Sequence, residues 1–137
     1  AELKFLLSVE QADAVRRWAR HHLAADPHGA GDHGDQYSTT TLYTDTAGYD
    51  VAARRGSYAR SKYRVRRYGA SDLVFLERKL RTSSMLSKRR ALIPLVELVR
   101  LSAADAATAG WPGAWFALRL AARHLQPVCQ VRYDRMA

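Results

Sequence analysis

Polar and apolar positions alternate with period two over three stretches in the middle of the chain, which predicts strands. From Ser61 to Tyr68, Tyr63 and Val65 fall on one side and Lys62, Arg64 and Arg66 on the other. From Leu73 to Leu80, Val74, Leu76 and Leu80 oppose Phe75, Glu77 and Lys79. From Lys88 to Ile93, Ala91 and Ile93 oppose Lys88 and Arg90. Gly69-Ala70-Ser71-Asp72 joins the first two as a hairpin turn, and Arg81 to Ser87 is a polar loop before the third. Glu2 to Leu7 reads as a short first strand, with Glu2 and Lys4 on one side and Leu3 and Phe5 on the other. Tyr37 to Tyr43, rich in Thr and Tyr, and Pro127 to Arg135 complete roughly six strands.

Helical periodicity occupies the remainder. Ser8 is an N-cap with Gln11 as its capping-box partner, opening a helix to about Ala25 with Ala12, Val15, Ala19, His22 and Leu23 on one face. Asp26-Pro27 ends it, and His28 to Gln36 is a Gly-, Asp- and His-containing loop. Asp45 to Tyr58 is a connector with room for one helical turn. Pro94 opens a helix holding Leu95, Leu98, Val99 and Leu101. Ser102 to Ala109 is Ala-rich and helical, Gly110 to Gly113 breaks it, and Ala114 to Leu125 forms a last helix with Trp115, Leu118, Ala122 and Leu125 on one stripe. Strands joined by hairpins, with helices set apart from them, predict an α+β fold on an antiparallel sheet.

Composition sharpens this picture at one point. The 137 residues suit one domain and carry a formal net charge of +9. Between Arg54 and Arg90 there are 13 Lys or Arg against two acids, Asp72 and Glu77, so this window carries more than the whole net charge. Such concentration implies a polyanionic partner. The single cysteine, Cys129, excludes an internal disulfide, fits a reducing, cytoplasmic setting, and is expected to be buried in its strand. No apolar run approaches the length of a membrane span, and no Walker-type glycine loop or Ser-His-Asp set is apparent.

The cations themselves are placed for chemistry. Three like charges along one strand face are unfavourable unless water or an anion screens them. The pattern recurs on the neighbouring predicted strands, so a concave surface lined by Lys and Arg is expected, with the apolar faces covered by helices. A guanidinium fork holds two phosphate oxygens at once, whereas an ammonium acts as a point charge.

Six short segments carry a family resemblance. E-L-K-F at Glu2 to Phe5, T-L-Y-T-D-T at Thr41 to Thr46, R-S-K-Y-R-V-R-R-Y-G at Arg60 to Gly69, F-L-E-R-K at Phe75 to Lys79, S-K-R-R at Ser87 to Arg90 and Y-D-R at Tyr133 to Arg135 occur in that order. Together they resemble the VTC domain, the polyphosphate polymerase domain of the triphosphate tunnel metalloenzyme (CYTH-like) superfamily. The resemblance implies an antiparallel tunnel of about eight strands. It implies ATP, triphosphate or inorganic polyphosphate as partner, and transfer of a terminal phosphoryl group onto a growing chain. Lys4, Arg64, Arg66, Lys79, Lys88 or Arg90, and Arg135 would hold phosphates, assisted by Lys62 and Arg60. Glu2 and Glu77 would orient the cations or help hold Mn²⁺ or Mg²⁺. Family members continue past the Y-x-R strand into strands bearing another Arg and the main metal carboxylate. By this resemblance residues 1–137 cover the N-terminal two thirds of the tunnel, with the rest supplied elsewhere or through a homo-oligomer. A hydrolase acting on the same substrates and a binding-only module are the alternatives; nucleic-acid binding ranks last and no specific nucleic acid is expected, because only Tyr63 and Tyr68 interleave with the cations.

Other residues have plainer roles. Asp45 is expected to hold a turn, since it sits at a strand end. His21 and His22 are adjacent on a helix and diverge, so they do not chelate together. His28 and His33, with Asp32 and Asp35, belong to the loop. Trp18, Trp111 and Trp115 are expected in the core or in helix–sheet packing.

Overall fold

The computed structural model describes residues 3–25, 29, 34–102 and 108–136. The chain divides into two compact units, one made of Ala1–Tyr37 with Arg135–Ala137 and the other of Ser38–Asp134.

In the first unit, helix α1 spans Val9–His22. Its start is set by the expected capping box: Gln11 N donates to Ser8 Oγ at 3.3 Å, and Ser8 N donates to Gln11 Oε1 at 3.0 Å. The helix closes at His22, earlier than Ala25, because Leu23 turns to extended backbone. No α1 residue is buried. Trp18 is exposed and stacks on His22 at 4.8 Å, so it is not the core residue its type predicts. His21 and His22 each bond the carbonyl four residues back, those of Arg17 and Trp18. Leu3 to Leu7 is not a strand: it joins no ladder among the described residues, and Leu3, Phe5 and Leu6 are exposed. Glu2, His28, Asp32 and His33 lie outside the described residues. Asp35 pairs with Arg20 at 2.6 Å.

The sheet holds five strands, one fewer than the six expected: β1 (Gln36–Asp45), β2 (Ser61–Tyr68), β3 (Leu73–Arg81), β4 (Leu86–Pro94) and β5 (Gln126–Met136). Their order is β4-β3-β2-β1-β5, antiparallel and open, so the described strands do not close into a tunnel. The expected α+β class with an antiparallel sheet is what the chain adopts. Pro94 ends β4 opposite Leu73, and the helix expected to follow it, Leu95–Ser102, forms as a 3₁₀ helix. A shorter 3₁₀ turn at Gly56–Arg60 provides the helical turn expected before β2. The segment 103–107, expected to be helical, lies outside the described residues. Helix α2 spans Ala114–Ala122, and the chain leaves it through His124 at φ 51°, with Leu125 N donating back to Leu120 O. Among the described residues no helix is long and apolar enough to cross a membrane.

One face of the sheet forms the core of the second unit. Tyr63 and Val65 from β2, Val74 and Leu76 from β3, and Ile93 from β4 are buried with Phe116 and Leu120 of α2. Each fully buried side chain of this size contributes roughly 1.5–3 kcal/mol. Tyr63 meets Phe116 edge to face at 5.8 Å. Trp111 is buried and Trp115 packs against the cluster, as their type predicts. Cys129 is exposed on β5, against expectation: that strand is exposed along most of its length, so its side chains have no layer to enter. Asp45 ends β1 by accepting from the backbone N–H groups of Thr46, Val51 and Ala52 at 2.8 to 3.0 Å, the turn role expected of it.

Candidate functional site

Because the apolar positions of β2, β3 and β4 all turn toward α2, their alternate positions must share the opposite face. The register then aligns them in rungs. Arg64, Glu77 and Arg90 lie opposite one another across three strands, and the next rung is Lys62, Lys79 and Lys88. On the other side of the arginine rung, Thr41 of β1, Arg66 and Phe75 lie in line. Six cations thus share one sheet face with a single carboxylate among these rungs.

Glu77 is fully buried at 0% exposure and organises the centre. Arg64 donates to its Oε2 through Nε at 2.7 Å and Nη2 at 2.6 Å. Arg90 donates to Oε1 through Nε at 2.8 Å and Nη2 at 2.6 Å, and Lys88 Nζ lies 3.2 Å from the same oxygen. Burial pushes the Glu77 carboxyl up, but the bonds from Arg90 and Arg64 outweigh it and hold the group at about 2, well below its ordinary 4.5. The carboxylate therefore stays charged and fixes both guanidinium planes. Arg90 also lies over the Phe75 ring at 4.3 Å.

Arg66 is 8% exposed, and its Nε donates to Thr41 Oγ1 at 3.1 Å. Its guanidinium sits 5.9 Å from the Tyr68 ring centroid, and Tyr68 meets Phe75 edge to face at 5.5 Å. Burial pulls the Arg66 guanidinium down, yet its bond to Tyr68 and the nearby Tyr133 and Glu77 outweigh that and raise it. It is a fixed positive charge. Lys62 and Lys79, by contrast, are exposed and form no ion pair among the described residues.

The structure therefore brings Lys62, Arg64, Arg66, Lys79, Lys88 and Arg90 together. Arg60 lies at the end of the first 3₁₀ turn, just before β2. Lys4 and Arg135 belong to the first unit, Lys4 in the segment before α1 and Arg135 near the end of β5. Lys4 is not on a strand, so three strands carry the cationic pattern where four were expected. Glu77 does not fit a metal ligand: both its oxygens already accept from cations, and three positive groups within 3.2 Å would repel a divalent ion. Its hydrogen bonds hold the guanidinium groups of Arg64 and Arg90 in place. Among the described residues no group of three His, Cys, Asp or Glu is placed to hold a metal.

Thr41 and Tyr68 escaped the sequence reading as site residues. The signal was present in T-L-Y-T-D-T and in the Tyr that follows the arginines, but which cation each would meet depends on the register between β1 and β2.

No match to the chain is found among curated proteins. The family model described as VTC domain matches residues 1–137, the full length of the sequence. The known fold context of that domain is the CYTH-like superfamily, and the domain suggests a polyphosphate-related function. With the match covering every residue that builds the cationic face, the chain belongs to the VTC domain family.

Proposed function

We propose that the cationic face binds ATP or inorganic polyphosphate through its phosphates, and that the domain transfers a terminal phosphoryl group onto a growing polyphosphate chain. One observation carries this reading. Six Lys and Arg from three adjacent strands share one face, and the single carboxylate among them immobilises guanidinium groups instead of cancelling the charge. Phosphoryl transfer needs little covalent chemistry from the protein; it needs positioned positive charge around the phosphates. Arg64, Arg66 and Arg90 are held for that role before any ligand arrives. Lys62 and Lys79 add mobile charge along the same line. Since Glu77 does not fit a divalent metal, no step is assigned to one.

The test measures triphosphate and polyphosphate binding to the wild type and to the Arg64→Ala plus Arg66→Ala double variant. Loss of these charge-assisted contacts is expected to weaken binding by about a hundredfold or more. Because both arginines are partly or wholly buried, the Lys62→Ala plus Lys79→Ala variant is measured beside it. That pair is exposed, should leave the fold intact, and is expected to weaken binding roughly tenfold with a shallower salt dependence. Equal affinity in the wild type and both variants would refute the proposal. Incubating the protein with ATP and following chain length then separates transfer, which lengthens chains, from hydrolysis, which shortens them.

A further inference from the structure

The cationic face does not stop at the lysine rung. Along β3 the alternation that places Glu77 and Lys79 on this face places Arg81 there as well, two residues further on. Arg81 lies beside Arg60, and together with Ala59, Thr82 and Ser83 they line a groove of about 360 Å³ at the end of the sheet. Both arginines are exposed and form no ion pair among the described residues. The turn carrying Thr82 and Ser83 is fixed in place: Thr82 N donates to Met85 O at 2.8 Å, and Met85 N donates to Thr82 Oγ1 at 3.0 Å. Thr82 Oγ1 also donates to Met85 O at 3.1 Å, so among the described residues the groove offers a ligand two guanidinium groups and the Ser83 hydroxyl with no carboxylate, a lining that suits phosphate oxygens.

Its position gives it a specific use. Two residues of an antiparallel strand advance about 6.8 Å. The arginine rung at Glu77, the lysine rung at Lys79 and the groove at Arg81 thus lie at even steps over roughly 14 Å. An orthophosphate group can occupy one step. Only a chain of several linked phosphates can touch all three.

We propose that the groove formed by Arg60, Arg81, Thr82 and Ser83 is a distal subsite for the extended part of a linear polyphosphate chain, so that the protein favours long chains over triphosphate. This rests on the phosphate-binding reading of the central face. Arg60 and Arg81 hold phosphates beyond the lysine rung, and the hydroxyl of Ser83 supplies a neutral donor at the rim.

The test is titration calorimetry of the 137-residue chain with triphosphate and with long-chain polyphosphate. The proteins are the wild type, Arg81→Ala, Arg60→Ala plus Arg81→Ala, and Arg64→Ala as reference. Removing the exposed Arg81 contact is expected to weaken long-chain binding about fivefold while triphosphate binding stays within about twofold, and removing Arg60 as well weakens long-chain binding further. Equal losses for both ligands, no loss for either, or a wild type that holds long chains no more tightly than triphosphate would each overturn the subsite. If Arg64→Ala weakens both ligands while the groove variants change neither, only the subsite falls. If Arg64→Ala also changes nothing, the central phosphate reading falls with it. A single-stranded oligonucleotide that binds as tightly as polyphosphate and loses affinity equally in the groove variants would instead make the groove a nucleic-acid contact and overturn the proposal.

Discussion

The rung Arg64–Glu77–Arg90 and the rung Lys62–Lys79–Lys88 lie two residues apart on the same three strands, but they use charge in opposite ways. In the first, a buried carboxylate accepts from two guanidinium groups, and the side chain of Arg64 is only 12% exposed. In the second, three ammonium groups face one another with no acid in line. Like charges directly opposite across strands are unfavourable by roughly 0.2–1 kcal/mol a pair, so the lysine rung lowers stability unless an anion joins it. Lys88 links the two: it belongs to the lysine rung by register, yet its Nζ reaches Glu77. The difference shows how a sheet can hold a dense positive face. One rung is locked as part of the fold, and the next keeps its charge available to a ligand.

The largest expected effect separates the rungs by stability. Glu77→Ala leaves Arg64 and Arg90 without their acceptor, and breaking a buried pair in this way costs roughly 3–5 kcal/mol. Lys79→Ala removes an exposed charge from a repulsive rung and is expected to change stability by about 0.5 kcal/mol or less. Urea unfolding of both variants checks this. Similar losses in the two would mean that the rungs are not distinct.

Acid should then dissolve the distinction. The Glu77 carboxyl is held at about 2 in the folded chain against an ordinary 4.5. A depressed carboxyl stabilises the fold above its unfolded value, and that contribution fades as pH falls from about 4.5 toward about 2. The contribution amounts to roughly 3 kcal/mol. Glu77→Gln has no charge to lose there, so its stability gap to the wild type should shrink between about pH 5 and about pH 3. An unchanged gap would show that the Glu77 charge contributes nothing to the arginine rung.

Much of this contrast was legible in the chain itself. Period-two alternation placed Lys62, Arg64 and Arg66 opposite Tyr63 and Val65, and the sheet keeps that division. The capping box at Ser8 and Gln11 and the turn role of Asp45 are local chemistry, written in adjacent residues. What stayed hidden depends on partners far along the sequence. Glu77 could be read as a metal ligand because only the register shows both of its oxygens facing arginines. Trp18 and Cys129 read as buried by residue type, but burial requires a covering layer, and among the described residues both positions are exposed. The alternation at the start of the chain predicts a strand, but Leu3 to Leu7 joins no ladder among the described residues.

The smallest effect lies within the arginine rung, where geometry and charge can be separated. Arg90→Lys keeps the positive charge but loses the fork that places Nε and Nη2 on Glu77 Oε1. Since the Arg90 side chain is 37% exposed, water screens part of the loss, and the change is expected to cost about 1 kcal/mol. Lys88→Ala removes a longer contact to the same oxygen from a side chain that is 42% exposed, and should cost still less, about 0.5 kcal/mol or under. Denaturant midpoints for the two variants give the comparison directly. If Lys88→Ala is the more harmful, Glu77 is held by net charge alone, and the fixed guanidinium planes are not what distinguishes its rung from the lysines beside it.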